Sequence, residues 1–244
     1  MKLSFAAIIS TLIVVILGII LISPMYLPPQ KKTNNPKLML AFSISNSVDV
    51  IEWCQNLSNI LKNHSIEATV FFVGEIAEKN PECVTAFGNE IDIGSQTYSN
   101  IDLTSINDYS KQLEEVEKGK NLVDIAGNLD SKTFKAPFGT TDQNIYSLLN
   151  KNGILADFSY ENQYNIYQND QFIKIEIETF QYPEIPFDLF SKTNEQSKPI
   201  ILYLDNNIPI YEIEKLILQL EESNFETVSA SNLVGRNLTF RGDM

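Results

Sequence analysis

The feature that most limits how this chain can fold is a rhythm. From Leu38 onward, apolar runs of strand length alternate with stretches whose apolar residues recur at helical spacing. Residues 38–44 (LMLAFSI), 68–73 (ATVFFV), 92–98, 133–138 (TFKAPF), 155–160 (LADFSY), 171–180 (QFIKIEIETF) and 199–205 (PIILYLD) read as strands, with a last short one at 227–229. Between them, Val50, Ile51, Cys54, Leu57, Ile60 and Leu61 mark a helix over 48–63, and further helices are expected before Phe87 and over 107–125, 142–151 and 210–223. Repeated units of this kind predict a parallel sheet covered by helices, either open or closed as a barrel. In a parallel barrel the functional groups gather at the C-terminal ends of the strands.

The first 37 residues follow another logic. Phe5 to Ile22 is 18 residues without a charge, enough to cross about 27 Å of hydrocarbon at about 1.5 Å per residue. Residues 1–4 are a short tail, 5–23 a membrane anchor and 24–37, rich in proline, asparagine and lysine, a tether. A cleaved signal peptide fits less well, because Ser23-Pro24-Met25-Tyr26 offers no small-x-small cleavage site. The domain is expected outside the cell on a single-pass anchor, and Asn-x-Ser/Thr triplets at Asn56, Asn63 and Asn237 are compatible with that side. The net charge of -13 argues against a nucleic-acid partner, since an acidic surface repels phosphates. Cys54 and Cys83 could pair, but their apolar flanks favour simple burial.

Four blocks, ATVFFVGEIAEKNPECV, EIDIGSQTYSNIDLT, FKAPFG and IILYLDN, resemble in order and spacing the polysaccharide deacetylase family, the NodB-homology domains. The resemblance covers residues 38–235 and leaves 236–244 as a C-terminal tail. It implies an α/β fold, a distorted (β/α)7 barrel, preceded here by the transmembrane helix. It also implies where chemistry should sit. Active members carry T-F-D-D-G after the first strand; here Ser43 occupies the position of the base and Ile44 that of a metal ligand. Gln96 and Asn100 stand for two ligand histidines, Lys135 for the arginine of R-P-P-Y-G, and Tyr203-Leu204-Asp205 for L-H-D, whose histidine is the general acid.

Those substitutions remove the family's chemistry. A divalent ion lowers the pKa of bound water from about 15.7 to about 7, worth roughly 12 kcal/mol in forming hydroxide. Ile44 has no lone pair, and two neutral amides do not replace two imidazoles and a carboxylate around zinc. The reading is therefore no catalytic residue, no metal and no cofactor, although the family would use zinc or another divalent ion. His64, the only histidine, is expected at the opposite face of the barrel. Asp92, Asp102, Asp157 and Asp205 lie near strand ends, where carboxylates with carbonyls could hold a hard cation such as calcium; the structural reading is better, since Asp102 can cap the next helix and Asp205 suits a turn. Ser43 and Lys135 could make a nucleophile pair only in contact, which spacing does not establish. Tyr98, Phe138, Tyr160 and Tyr203, with Tyr164, fall where sugars stack on aromatic faces, or where such rings merely fill the barrel mouth.

The expected function is that of a membrane-anchored, deacetylase-like protein that binds a glycan or an envelope partner without catalysis. Two alternatives stay open: an active deacetylase of N-acetylated surface polysaccharide, or an envelope scaffold protein.

Overall fold

The computed structural model describes residues 35–139, 143–186, 189–191 and 198–242. The expected membrane span at 5–23 and the tether up to residue 34 lie outside the described residues. Among the described residues no helix is long and apolar enough to cross a membrane.

The central sheet is built on β1 (Lys37–Ile44), flanked by β2 (Ala68–Phe72) and β10 (Ile200–Asp205), both parallel to it. Beyond β2 follow β3 (Asp92–Ser95), β5 (Thr133–Phe134) and β6 (Ala156–Asp157), again parallel. Then the direction reverses: β7 (Gln163–Gln168) and β8 (Gln171–Glu176) form an antiparallel hairpin beside β6. Only Ile177 separates β8 from β9 (Glu178–Gln181), which pairs in parallel with β10 at the other end of the sheet. One bent stretch, 171–181, thus pairs with both ends of the sheet and nearly closes the barrel. The parallel barrel expected from the sequence is present with this correction, and the single strand foreseen at 171–180 is two strands with different partners.

β1 shows how the layers separate. Its alternate residues Leu38, Leu40, Phe42 and Ile44 join an outer cluster with Val50, Cys54, Leu57 and Leu61 of α1 (Val50–Asn63) and Ile213, Leu216, Ile217 and Leu220 of a second helix, Ile210–Glu221. Met39 and Ala41 face the barrel interior, with Phe71, Phe158, Ile201 and Leu238. Each large apolar side chain so buried contributes roughly 1.5–3 kcal/mol. Cys54 and Cys83 are joined in a disulfide with Cα atoms 5.3 Å apart, where burial without a bond was the expectation; it ties α1 to the short helix Pro81–Thr85.

The helix Tyr109–Gly127 begins where Asp108 accepts from the amide of Ser110 and stops at Asn128, whose φ of 47° ends the helical geometry. Its Gly119 touches the chain after β3: a Cβ there would lie 2.4 Å from the carbonyl oxygen of Gln96. The amide of Tyr98 donates to the carbonyl of Glu115 at 2.9 Å, and the Glu115 carboxylate accepts from the amide and hydroxyl of Ser99. This helix therefore sets the position of residues 96–99. At the other end of the barrel, residues 236–242 are more than the tail expected. Thr239–Arg241 pairs antiparallel with Leu129–Ser131, and Leu238 is buried in the barrel interior.

Candidate functional site at the barrel mouth

Six strands of the nearly closed sheet deliver their C-terminal ends to one cleft of about 610 Å³. It is lined by Ser43 near the end of β1 and Ser45 just past it, Gln96 and Asn100 after β3, Lys135 and Phe138 after β5, and Tyr160 and Glu161 after β6. Gln181 of β9 and Tyr203, Leu204 and Asp205 of β10 complete the wall. Gathering at that end is what a parallel barrel imposes.

Period-two alternation separates Ser43 from Ile44. Ser43 lines the cleft, whereas Ile44 is wholly buried in the outer cluster under the helices. The position read as a lost metal ligand is therefore a core residue, because successive strand residues face opposite sides.

Gln96 is 1% exposed, and its Nε2 donates to the carbonyl oxygen of Phe71 at 3.0 Å. The carboxamide is oriented by that bond, which engages its donor and leaves Oε1 as its acceptor. Asn100 reaches the same cleft from a left-handed backbone, φ 55°, a conformation asparagine tolerates better than most residues.

Lys135 lies deep in the cleft wall with Nζ 5.3 Å from the centroid of the Tyr203 ring. Burial lowers its pKa to about 8, against the opposing influence of the Asp205 and Asp157 carboxylates. Among the described residues nothing hydrogen-bonds or ion-pairs with its ammonium. The Tyr203 hydroxyl donates to the carbonyl of Phe158 at 2.8 Å, and burial pushes its pKa up. Ser43 and Lys135 line the same cleft without a hydrogen bond between them, so a nucleophile pair is not formed.

The aspartates divide. Asp205 accepts from the amide of Asn207 at 2.8 Å, as a turn residue would, and also lines the cleft. Asp102 accepts from the amide of Thr104, the capping role expected. Asp157 is buried beneath the mouth; its Oδ1 accepts from the amide and hydroxyl of Ser159, and Ser159 Oγ accepts from the amide of Ala136 at 2.7 Å. It fixes the segment that carries Lys135 and Phe138. Asp92, at the start of β3, accepts from the amide of Ser231. His64 bonds Glu221 at 2.9 Å, away from the cleft.

Of the five aromatic candidates, Phe138, Tyr160 and Tyr203 line the cleft and two do not. Tyr98 donates to Glu78 at 2.9 Å and lies beneath the Lys118 ammonium, 3.4 Å from its ring centroid, drawn outward by the helix that holds residues 96–99. Tyr164 is buried, stacked on Phe158 at 5.3 Å. Ser45, Glu161 and Gln181 were not foreseen, though each sits at or just past a strand end. Asn206 was missed as well: its Oδ1 accepts from the amides of Ser45 and Asn46, both at 3.0 Å, holding two mouth segments together.

The donor set does not suit zinc. Among the described residues no group of three or more His, Cys, Asp or Glu side chains is arranged to hold a metal ion; Ser43, Gln96, Asn100 and Lys135 offer a hydroxyl, two carboxamides and an ammonium, and the carboxylates of Glu161 and Asp205 in the same lining are too few to make a zinc site.

Residues 30–156 match the family model described as polysaccharide deacetylase. Over 109 residues, 44% of this chain and 39% of the relative, the sequence is 28% identical to a peptidoglycan-N-acetylglucosamine deacetylase of Bacillus cereus. Among solved structures, a family 4 carbohydrate esterase from Streptomyces lividans is similar with a TM-score of 0.58 at 18% identity, covering 79% of this chain and 92% of that one. A pseudoenzyme of the same esterase family from Bacillus anthracis is similar with a TM-score of 0.60 at 13% identity, covering 83% and 66%. At such identities the structural likeness speaks for the fold.

Proposed function

The chain belongs to the polysaccharide deacetylase family, and from that premise we propose that it is a catalytically inactive member, anchored in the membrane by residues 5–23, that binds a glycan in the barrel mouth outside the cell. The observation that carries this reading is the chemistry of the mouth. Ser43, Gln96, Asn100 and Lys135 occupy the family's catalytic stations, Ile44 is packed in the core, and no set of three metal-binding side chains is assembled among the described residues. The scaffold and its cleft persist, walled by Phe138, Tyr160 and Tyr203 and edged by polar groups, as a sugar site requires. The family accommodates such a state, since one solved relative is described as a pseudoenzyme and a mutant of it as having restored activity. The Cys54–Cys83 disulfide supports an oxidising, extracytoplasmic setting.

The test has two arms. With zinc supplied, the full-length protein should release no acetate from N-acetylglucosamine oligomers above the uncatalysed rate, while calorimetry registers binding of amino-sugar oligomers that Tyr160→Ala weakens. Acetate release at a family-like rate would overturn the inactive reading; absence of any glycan binding would overturn the binding one.

A further inference from the structure

Resting on the glycan-binding reading, the cleft's own chemistry narrows which sugar it takes. Gln96, nearly fully buried in the cleft lining, commits its amide nitrogen to the carbonyl of Phe71, so the acceptor Oε1 is the group it retains for a ligand. Asp205 and Glu161 add two carboxylates to the lining against the single ammonium of Lys135. Asp157 is buried near enough to act on the charge of Lys135, so formal carboxylates outnumber the ammonium around the mouth. The whole molecule, at -13, extends that bias outward and steers cations toward the protein. A pocket with surplus acceptors and surplus negative charge is complementary to a ligand that brings donors and positive charge. An acetamido group brings one N–H and no charge; a free amino group on the same sugar, once protonated, brings three N–H donors and a full charge. The exposed face of Phe138 and the ring of Tyr160 supply apolar contact for the pyranose.

We infer that the mouth is selective for a de-N-acetylated glycan, an oligomer of glucosamine carrying free ammonium groups, over its N-acetylated counterpart. In a reaction sequence the protein then acts after an N-deacetylation step: an amide-hydrolysing enzyme supplies its ligand. Lys135 works against this ligand, and its charge sets how strong the preference is.

Full-length protein is titrated with glucosamine tetramer and with N-acetylglucosamine tetramer at about pH 6, where a sugar amine is protonated. The glucosamine tetramer should bind about tenfold tighter or better. Asp205→Asn, which keeps the acceptor for Asn207, and Glu161→Gln should each cut that ratio severalfold, whereas Lys135→Met should raise affinity for the glucosamine tetramer severalfold. Glu90→Gln, an exposed carboxylate remote from the cleft, should leave the ratio unchanged; it controls for a polycation adhering anywhere on an acidic surface. Equal or tighter binding of the N-acetylated tetramer overturns the inference and leaves the glycan-binding reading standing. A preference that survives Asp205→Asn and Glu161→Gln, or weaker glucosamine binding by Lys135→Met, overturns it also. Failure of both tetramers to bind overturns both.

Discussion

The hydroxyl of Tyr203, on β10, donates to the carbonyl oxygen of Phe158, just past β6, at 2.8 Å. The two strands are not neighbours in the sheet, so the bond crosses beneath the mouth and fixes the ring over which Lys135 Nζ stands. Tyr203→Phe removes the donor and leaves a carbonyl in a buried setting. The expected loss is about 1 kcal/mol, the net worth of one such bond, read as a lower urea midpoint at unchanged slope. No change would mean that the bond is not maintained in solution.

How far the sequence disclosed this arrangement depends on which physical signal each part carries. The parallel strands were legible because runs such as 38–44 and 199–205 are long and apolar, and their C-terminal ends then named most of the mouth. Motif position puts Ser43 and Ile44 together in the site, whereas alternation along β1 puts them on opposite faces. The β7–β8 hairpin carries a turn signal that strand periodicity does not register. Asn169 and Asp170 both take positive φ, 51° and 63°, the geometry of a two-residue hairpin turn that these residue types favour. Strand Thr239–Arg241 has three residues, too few for periodicity to register. Tyr98 was misplaced for a tertiary reason, since Glu115 and Gly119 of a distant helix dictate the path of residues 96–99.

The Cys54–Cys83 bridge closes a loop with a sequence separation of 29. Loop entropy for that length predicts roughly 3–4 kcal/mol of stabilisation. Reduction, or a Cys54→Ala/Cys83→Ala double variant, should lower unfolding free energy by that order, measured by denaturant titration with and without reductant. Equal stability under both conditions would show that the thiols are not bridged.

Lys135 gives a pH signature opposite to that of an ion-paired lysine. Its folded pKa is about 8 against an ordinary value of 10.5. Below about pH 8 the ammonium is charged in both states, and the folded state bears the full cost of enclosing it. Between these values the folded form has released its proton while the unfolded chain keeps one, so this group's contribution to stability rises with pH. Lys135→Met should therefore be more stable than the parent near neutrality, and the gap should narrow as pH rises through that window. Paired denaturation curves across pH check it; a gap that widens with pH would refute the assignment.

Ile44 and Ser43 provide a contrast one residue apart. Ile44→Asp places a carboxylate in the outer apolar cluster, at a cost of roughly 3–5 kcal/mol for an uncompensated buried charge. Ser43→Asp faces the cleft and should cost no more than about 1 kcal/mol, as partly solvated substitutions do. Similar losses in thermal denaturation would mean that the residue after Ser43 does not face the core.

Phe138 separates stability from function. Its backbone is left-handed, φ 62° and ψ 6°, and the residue is 71% exposed. A bulky residue pays about 1–2 kcal/mol for that conformation, and so open a ring recovers little of it by burial. A strained, exposed aromatic at the rim of a cleft points to work done on a ligand. Asparagine accepts the left-handed geometry more readily, so Phe138→Asn should raise stability by up to about 1 kcal/mol. The same variant loses the stacking face, and affinity for amino-sugar oligomers should fall about tenfold, the equivalent of roughly 1.4 kcal/mol. Denaturation and calorimetry on one preparation read both effects. A variant that is more stable yet binds as tightly as the parent would remove Phe138 from the binding site and leave its strain without a functional counterpart.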